Sequence, residues 1–229
     1  MRNVGPAGVA ARVVAAVTVV SAVVSCTVTA DVAERTPRPT PAAFAATRPV
    51  RDLVLPLMQL SPGYTVTHAG TLTAAELAET TAVSELRQER KAFLARDGFV
   101  SAGYRGFDYA NGGATPRRAW VVVVIFGTEA GARQAVDDFG DDGERHGFHK
   151  AAIGNGVGER ARAVGVDTAI ELNGKKIEVS FGALWFSFRN VVVQATVQDD
   201  VGSPNVVLGC IELAKEQLRF LRDQLQSAP

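Results

Sequence analysis

Between Trp120 and Phe126 the chain carries seven consecutive apolar residues, five of them β-branched. Both alternating sets of side chains are hydrophobic, so neither face of a strand formed here can remain in water. This pattern predicts a central strand that is covered on both sides. Thr128 is placed to cap a following helix, and Gly140 is placed to end it. The apolar face of this helix is predicted to contain Ala132, Val136 and Phe139.

The region before this strand predicts an edge strand, a helix and a partner strand. Residues Tyr64 to His68 are expected to form the edge strand. A capping box at the start of Thr73 to Arg96 predicts a single helix over that range. Residues Phe99 to Tyr109 alternate loosely, so we expect them to pair with Trp120–Phe126 across the turn Asn111-Gly112-Gly113.

Two hairpins are predicted in the second half of the chain. Asn173-Gly174 is a strong two-residue turn signal, and it pairs Leu172 with Lys175. A second turn at Arg189-Asn190 gives three apolar pairs, which are Phe188 with Val191, Phe186 with Val193 and Leu184 with Ala195. The inward residues are odd-numbered up to Phe181 and even-numbered from Leu184. We therefore expect a bulge or tight turn at Gly182-Ala183 to change the phase.

The last helix is predicted from its start signals and its apolar spacing. Ser203 is placed to cap it, and Pro204 stands at its first position. Its apolar seam repeats at alternating spacings of four and three, through Val207, Ile211, Ala214, Leu218, Leu221 and Leu225. Together these elements predict one α+β domain over residues 50–229, in which an antiparallel sheet packs against helices.

The N-terminus predicts export. Arg2 and Arg12 precede an uncharged stretch, Val13 to Val24, which is too short to span a membrane but suits a signal peptide. The stretch ends in Val23-Val24-Ser25-Cys26, which resembles a bacterial lipobox. The resemblance implies that residues 1–25 are removed and that Cys26 is acylated. Two alternatives are plain secretion, with cleavage after Val28-Thr29-Ala30, and a retained membrane anchor.

The composition supports the prediction of an exported, anchored domain and excludes nucleic acid as a partner. The Thr/Pro-rich residues 26–49 favour an extended, flexible tether before the domain. If Cys26 is acylated, Cys210 is the only remaining thiol, so no disulfide is implied. Lys plus Arg and Asp plus Glu number 24 each, so no basic field attracts nucleic acid. The expected partners are the cytoplasmic membrane, through the lipid on Cys26, and an envelope protein or small ligand.

The chain contains no common catalytic signature, such as a nucleophile elbow, a P-loop or a zinc-protease helix. Gly154 to Gly158 is Gly-rich but lacks the third glycine of a dinucleotide fingerprint, so we expect no cofactor. One polar cluster is a candidate metal site formed by Asp142, His146 and His149, since carboxylates and imidazoles ligate Zn²⁺ and Ca²⁺. The favoured alternative is a solvated loop, because charged residues and two glycines interrupt the cluster.

The aromatic residues of the predicted strands have two interpretations. They could line a hydrophobic pocket, or they could form the core of the sheet, which needs the same periodicity and is favoured. The residues concerned are Trp120, Phe181, Trp185, Phe186 and Phe188. The pocket interpretation would make Leu184 to Phe188 the wall of a site for a lipid or another hydrophobic ligand.

Cys26, the Thr/Pro-rich segment and the Phe188–Val193 hairpin before a terminal helix together resemble the uncharacterised cell-envelope lipoproteins of actinobacteria. The resemblance implies a sensor-like or PsbP/Mog1-like α/β sandwich on the outer face of the cytoplasmic membrane, and it transfers no catalytic residues. The favoured function is a non-catalytic binding or accessory module of the cell envelope. The alternatives are a carrier of a hydrophobic ligand and a metal-dependent enzyme that uses His146 and His149.

We expect the mature protein to begin at Cys26 and to carry a diacylglycerol group on it, because two acyl chains are needed for stable anchoring. Mass spectrometry of the N-terminal peptide from the native membrane fraction measures both properties. An unmodified chain that begins at Asp31 would contradict the expectation and support plain secretion.

Overall fold

The computed structural model describes residues 48–60, 63–80, 84–109, 117–172, 175–201 and 206–226. Several predicted features lie outside these residues. They are the signal peptide, Cys26, the tether up to residue 47, the turn residues Asn111–Gly113 and Asn173-Gly174, and the cap formed by Ser203 and Pro204. In the described part of the chain, no helix is both long enough and apolar enough to cross a membrane.

The described residues form a single α+β domain built on a seven-stranded antiparallel sheet, as predicted. Its strands are β1 Tyr64–Leu72, β2 Phe99–Tyr109, β3 Arg117–Phe126, β4 His149–Lys150, β5 Arg160–Leu172, β6 Lys175–Phe188 and β7 Val191–Asp200. Its helices are α1 Ala74–Glu79, α2 Ser84–Arg96, α3 Glu129–Arg145 and α4 Val206–Gln226, with 3-10 turns at Val50–Leu53 and Leu57–Gln59. The spatial order of the strands is β1-β2-β3-β7-β6-β5-β4.

Strand β3 is covered on both faces, which confirms the prediction. Val121, Val123 and Ile125 are buried in a core shared with α4, and we call this side of the sheet the α4 face. Val122, Val124 and Phe126 are buried in a second core shared with α1, α2 and α3, and we call this side the α3 face. The sheet is therefore the middle layer of three.

The predicted strand pairings are confirmed in their register. Strand β2 pairs with β3 over Phe99–Tyr109. The hairpin of β5 and β6 places Leu172 opposite Lys175. The second hairpin places Phe188, Phe186 and Leu184 opposite Val191, Val193 and Ala195. Strand β1 lies at the edge of the sheet as predicted, although it extends to Leu72.

The predicted phase change at Gly182-Ala183 is wrong. Strand β6 pairs without interruption with both of its neighbours through these residues. The sequence shows two apolar phases because β6 is covered on both faces. Leu184 and Phe186 are buried on the α4 face, whereas Ala183 and Trp185 are buried on the α3 face.

Two helix boundaries also differ from the prediction. The helix expected over Thr73–Arg96 is two helices, because α1 ends at Glu79 and α2 begins at Ser84. The capping box at the start of α1 is present as predicted.

Helix α3 is capped by Thr128 as predicted, but it continues past Gly140 to Arg145. A Cβ at Gly140 would lie 2.9 Å from Nε of Arg162, so the glycine allows close packing against β5 and does not end the helix. Beyond it, Asp142 pairs with Arg90 and Glu144 pairs with Arg162. These contacts offset the roughly 1 kcal/mol that a glycine costs inside a helix.

Helix α4 buries a wider face than the predicted seam. Ala214, Leu218 and Leu221 are buried as expected, while Val207 and Ile211 are only partly buried. The side chain of Leu225 lies outside the described residues. Further buried residues, on the adjoining side of the helix, are Val206, Cys210, Leu213, Gln217 and Phe220.

The wider face arises because α4 also packs against the segment from Val50 to Leu55. Gln217, which is fully buried, accepts a hydrogen bond from the backbone N of Leu55 at 2.7 Å. It also donates to the carbonyl of Leu53 at 2.8 Å. A single amide side chain therefore satisfies two backbone groups of a buried segment that belongs to no sheet or α-helix.

We expect Val124→Asp to prevent folding at 37 °C. Val124 is 1% exposed in the middle of β3, and an unpaired buried carboxylate costs on the order of 4 kcal/mol or more. Thermal unfolding followed by circular dichroism measures the effect. The matched control is Val100→Asp on β2, where the side chain is 52% exposed and the change should stay within about 0.5 kcal/mol. Equal melting temperatures for the two variants would show that β3 is not the centre of the core.

Candidate functional site

A groove of about 420 Å³ crosses the part of the α3 face that lies beside the helices. Strands β1, β2, β3, β7 and β6 form it, and only Thr80, at the end of α1, reaches it from a helix. The lining residues are His68, Leu72, Thr80, Tyr104, Trp120, Val122, Phe181, Gln194 and Thr196. We call this feature the sheet groove.

Trp120 occupies the middle of the floor of the sheet groove. Its cross-strand neighbours are Gly106 on β2 and Thr196 on β7, so small residues flank the indole on both sides. A Cβ at Gly106 would lie 2.9 Å from Cδ2 of His68, so the absence of a side chain also makes room for that imidazole. Trp120 consequently stays partly exposed, although its chain neighbours Ala119 and Val121 are buried.

The sheet groove is poor in charged groups. Gln194 donates from Nε2 to Oγ1 of Thr196 at 3.1 Å. Thr80 donates from its hydroxyl to the carbonyl of Leu77 at 2.7 Å. His68 and Thr80 are exposed at the rim, and Tyr104 is half-buried. Among the described residues, the lining contains no Lys, Arg, Asp or Glu, so the site offers hydrogen bonds and apolar surface without a formal charge.

The aromatic residues singled out from the sequence divide between core and groove. Trp120 and Phe181 line the sheet groove. Trp185 and Phe186 are buried core residues, on the α3 face and the α4 face respectively. Phe188 packs against the α4-face core, and the guanidinium of Arg222 lies 6.0 Å from its ring centre. The strand Leu184 to Phe188 therefore does not form the wall of a pocket.

The solvated-loop interpretation is wrong for the residues up to Arg145, because these belong to α3. Asp142 is 2% exposed within α3 and accepts a hydrogen bond from Nε of Arg90 at 3.1 Å. His146 follows the end of α3, and its Nδ1 lies 2.6 Å from the carbonyl oxygen of Asp142. His149 is exposed on β4.

Within the described residues, no group of three or more His, Cys, Asp or Glu side chains is arranged to hold a metal ion. The carboxylate of Asp142 serves the Arg90 pair that joins α2 to α3. The metal site remains a prediction from the sequence, and the variant described below tests it.

Two ionisable groups elsewhere are perturbed by burial. Burial raises the pKa of the Cys210 thiol to about 12, so the group stays protonated at neutral pH and is a poor nucleophile. Burial also raises the pKa of Asp138, and a hydrogen bond with Asp97 adds to the effect. Arg96 contacts both of these carboxylates, so this cluster joins the end of α2 to α3.

A second cavity, of about 380 Å³, lies on the α4 face between α4 and the strands β3 and β7. It is lined by charged residues of both signs, including Arg117, Glu212, Glu216 and Arg219. Arg219 pairs with Glu216 at 2.7 Å. Its ionic lining contrasts with the neutral sheet groove.

Two solved structures resemble the chain in part. The extracellular domain of PknH from Mycobacterium tuberculosis is 12% identical with a TM-score of 0.44, over 75% of this chain and 93% of that one. An uncharacterised protein of Mycobacterium smegmatis, the Rv0999 ortholog, is 12% identical with a TM-score of 0.36, over 76% of this chain and 97% of that one. At these TM-scores neither similarity identifies a family or a function. No family model matches the chain, and no curated protein matches it in sequence.

The sequence contained one signal for the sheet groove that the alternation analysis missed. On β7 the residues of the α4 face stay apolar through Val197. Those of the α3 face change from Val192 to Gln194, Thr196 and Gln198. A strand that is apolar on one face and turns polar halfway along the other meets polar neighbours or a groove there instead of the apolar side of a helix. That change marks where the helices end and the groove begins.

We expect Asp142→Asn to destabilise the domain by about 3 kcal/mol, because it leaves the largely buried guanidinium of Arg90 without its carboxylate. The control is Asp141→Asn, whose side chain is 60% exposed and whose partner Arg162 keeps Glu144. Chemical denaturation measures both variants. A rise in melting temperature with Zn²⁺ that Asp142→Asn abolishes would instead show that Asp142, His146 and His149 bind a metal.

Proposed function

We propose that this protein is a lipid-anchored, extracytoplasmic, non-catalytic binding module of the cell envelope, and that the sheet groove is its ligand site. The observation that carries the proposal is a neutral, aromatic-lined groove in the face of a rigid sheet. Pockets that are mainly apolar with a few fixed polar groups are the usual form of small-molecule sites.

The chemistry of the lining supports binding in preference to catalysis. Nucleophilic or acid–base catalysis needs a reactive group with a base and an orienting partner within hydrogen-bond reach. Within the described residues, the ionisable groups of the groove are the exposed imidazole of His68 and the phenol of Tyr104. The thiol of Cys210 is buried in the α4-face core, away from the groove.

The sequence supports the location. The lipobox-like Val23–Cys26 and the Thr/Pro-rich residues 26–49 precede Val50, which is the first buried residue in the described part of the chain. Val50 to Leu55 pack on the α4 face, whereas the sheet groove opens on the α3 face. The first described segment of the domain and the ligand site therefore lie on opposite sides of the sheet.

We expect the protein to retain a non-covalent ligand from a small-molecule extract of its envelope, and Trp120→Ala to lose it. Native mass spectrometry of the full chain carrying Cys26→Ser, purified without detergent, detects the adduct. Tyr109→Ala is the control, because it removes a partly buried aromatic residue that does not line the groove. The proposal fails if no extract yields an adduct, or if the Trp120 variant keeps it with unchanged stoichiometry.

A further inference from the structure

We infer that the ligand of the sheet groove is a compact, neutral aromatic ring compound that carries an N–H or O–H donor. This inference rests on the proposed function, because it assigns a ligand class to the same site. Three features of the groove lead to it. They are the absence of Lys, Arg, Asp and Glu from its described lining, its aromatic floor and the amide of Gln194 on β7.

The shortage of charge in the lining disfavours ionic ligands. The imidazole of His68 lies exposed at the rim, and the Arg90 guanidinium that donates to Thr80 is already paired with Asp142. None of the described lining residues is Lys, Arg, Asp or Glu. The adjoining ion pair on the floor strands, Arg118 with Asp108 at 3.6 Å, is already neutralised. A carboxylate, phosphate or ammonium group would lose hydration without gaining a counter-charge, which is strongly unfavourable.

The aromatic floor favours a ring. Tyr104, Trp120 and Phe181 come from β2, β3 and β6, so they are spread across the width of the groove. Aromatic rings in offset or edge-to-face contact gain stabilisation beyond the area that they bury. The volume of about 420 Å³ is near the lower end of small-molecule pockets, which indicates a compact ligand.

The amide of Gln194 distinguishes the ligand from an acyl chain. Any ligand that crosses from β1 to β6 must pass over β7, whose lining residues are Gln194 and Thr196. One N–H of the Gln194 amide is donated to Thr196, and among the described residues nothing donates to its Oε1. An acyl chain would desolvate this oxygen without replacing its hydrogen bond. A ring with a suitably placed N–H or O–H replaces it.

The same lining disfavours a sugar. Leu72, Val122 and Phe181 present only apolar surface to the groove. The many hydroxyl groups of a saccharide would lose water against these side chains without finding partners. A ligand with one donor and otherwise apolar rings matches the few polar and many apolar groups of the groove lining better than a saccharide does.

A matched pair of fluorescent probes tests the absence of charge. N-phenyl-1-naphthylamine is neutral and has one N–H donor, and 1-anilinonaphthalene-8-sulfonate is a sulfonated analogue. With the full chain carrying Cys26→Ser, we expect the neutral probe to bind at least about tenfold more tightly in fluorescence titrations. Trp120→Ala should weaken its binding, and Tyr109→Ala should not. Equal or tighter binding of the sulfonate would overturn the inference.

The donor is tested with a second pair of probes and a second pair of variants. Gln194→Leu removes the acceptor while keeping a similar side-chain volume. We expect this variant to bind the neutral probe about fivefold more weakly. It should leave binding of the N-methylated probe, which has no donor, unchanged. Gln134→Leu is the control, because Gln134 is exposed on α3 outside the groove. If Gln194→Leu lowers the affinity for both probes equally, Gln194 does not act as the acceptor for the ligand's donor.

Failure of the inference can be separated from failure of the proposed function. If palmitate or maltose displaces an envelope ligand that requires Trp120, while the neutral probe does not bind, the groove is a binding site for another ligand class. The inference is then wrong and the proposed function stands. If neither the probes nor any envelope ligand depends on Trp120, the proposed function fails as well.

Discussion

The requirement to bury both faces of β3 is the constraint on which the rest of the structure depends. Val121 and Val124 point to opposite sides of the sheet, and each is almost fully buried. Helix α4 and the segment Val50–Leu55 cover one side, and α1 to α3 cover the other. The three helices of the α3 face leave part of the five strands β1, β2, β3, β7 and β6 uncovered, and this uncovered part is the sheet groove. The candidate site is therefore a product of how the layers are packed.

Much of this fold was predictable because it is recorded in local patterns. Alternation and turn chemistry specify the register of a hairpin, so the pairs around Arg189-Asn190 were correct to the residue. The predictions failed where a distant contact overrides a local rule. The sequence around Gly140 indicates a helix end, but the glycine is needed because Arg162 packs against it. The two apolar phases of β6 indicate a bulge, but they arise because both faces of the strand are covered by helices.

The candidate site was less predictable than the fold, for a related reason. Its lining runs from His68 to Thr196, and the floor exists only because β7 inserts beside β3. Neither the neighbours of Trp120 nor the absence of a covering helix can be seen from the strand that carries it. The predicted metal ligands Asp142, His146 and His149 are close in sequence, which made them visible as a cluster. The residue that pairs with Asp142 is Arg90 of α2, and this partner cannot be found from the local sequence.

The amide of Gln217 also determines when the domain can be completed. Its two backbone partners, at Leu53 and Leu55, precede it by 164 and 162 residues. At a synthesis rate of about 5 to 20 residues per second, those groups wait roughly 8 to 30 s for their partner. Until α4 has been made, the segment Val50–Leu55 can pack on the sheet, where Arg105 donates to the carbonyl groups of Val54 and Leu55. Its backbone groups at Leu53 and Leu55 nevertheless lack the amide of Gln217. Completion of the domain therefore requires the closure of a loop of more than 160 residues, and contacts over such long sequence separations slow folding.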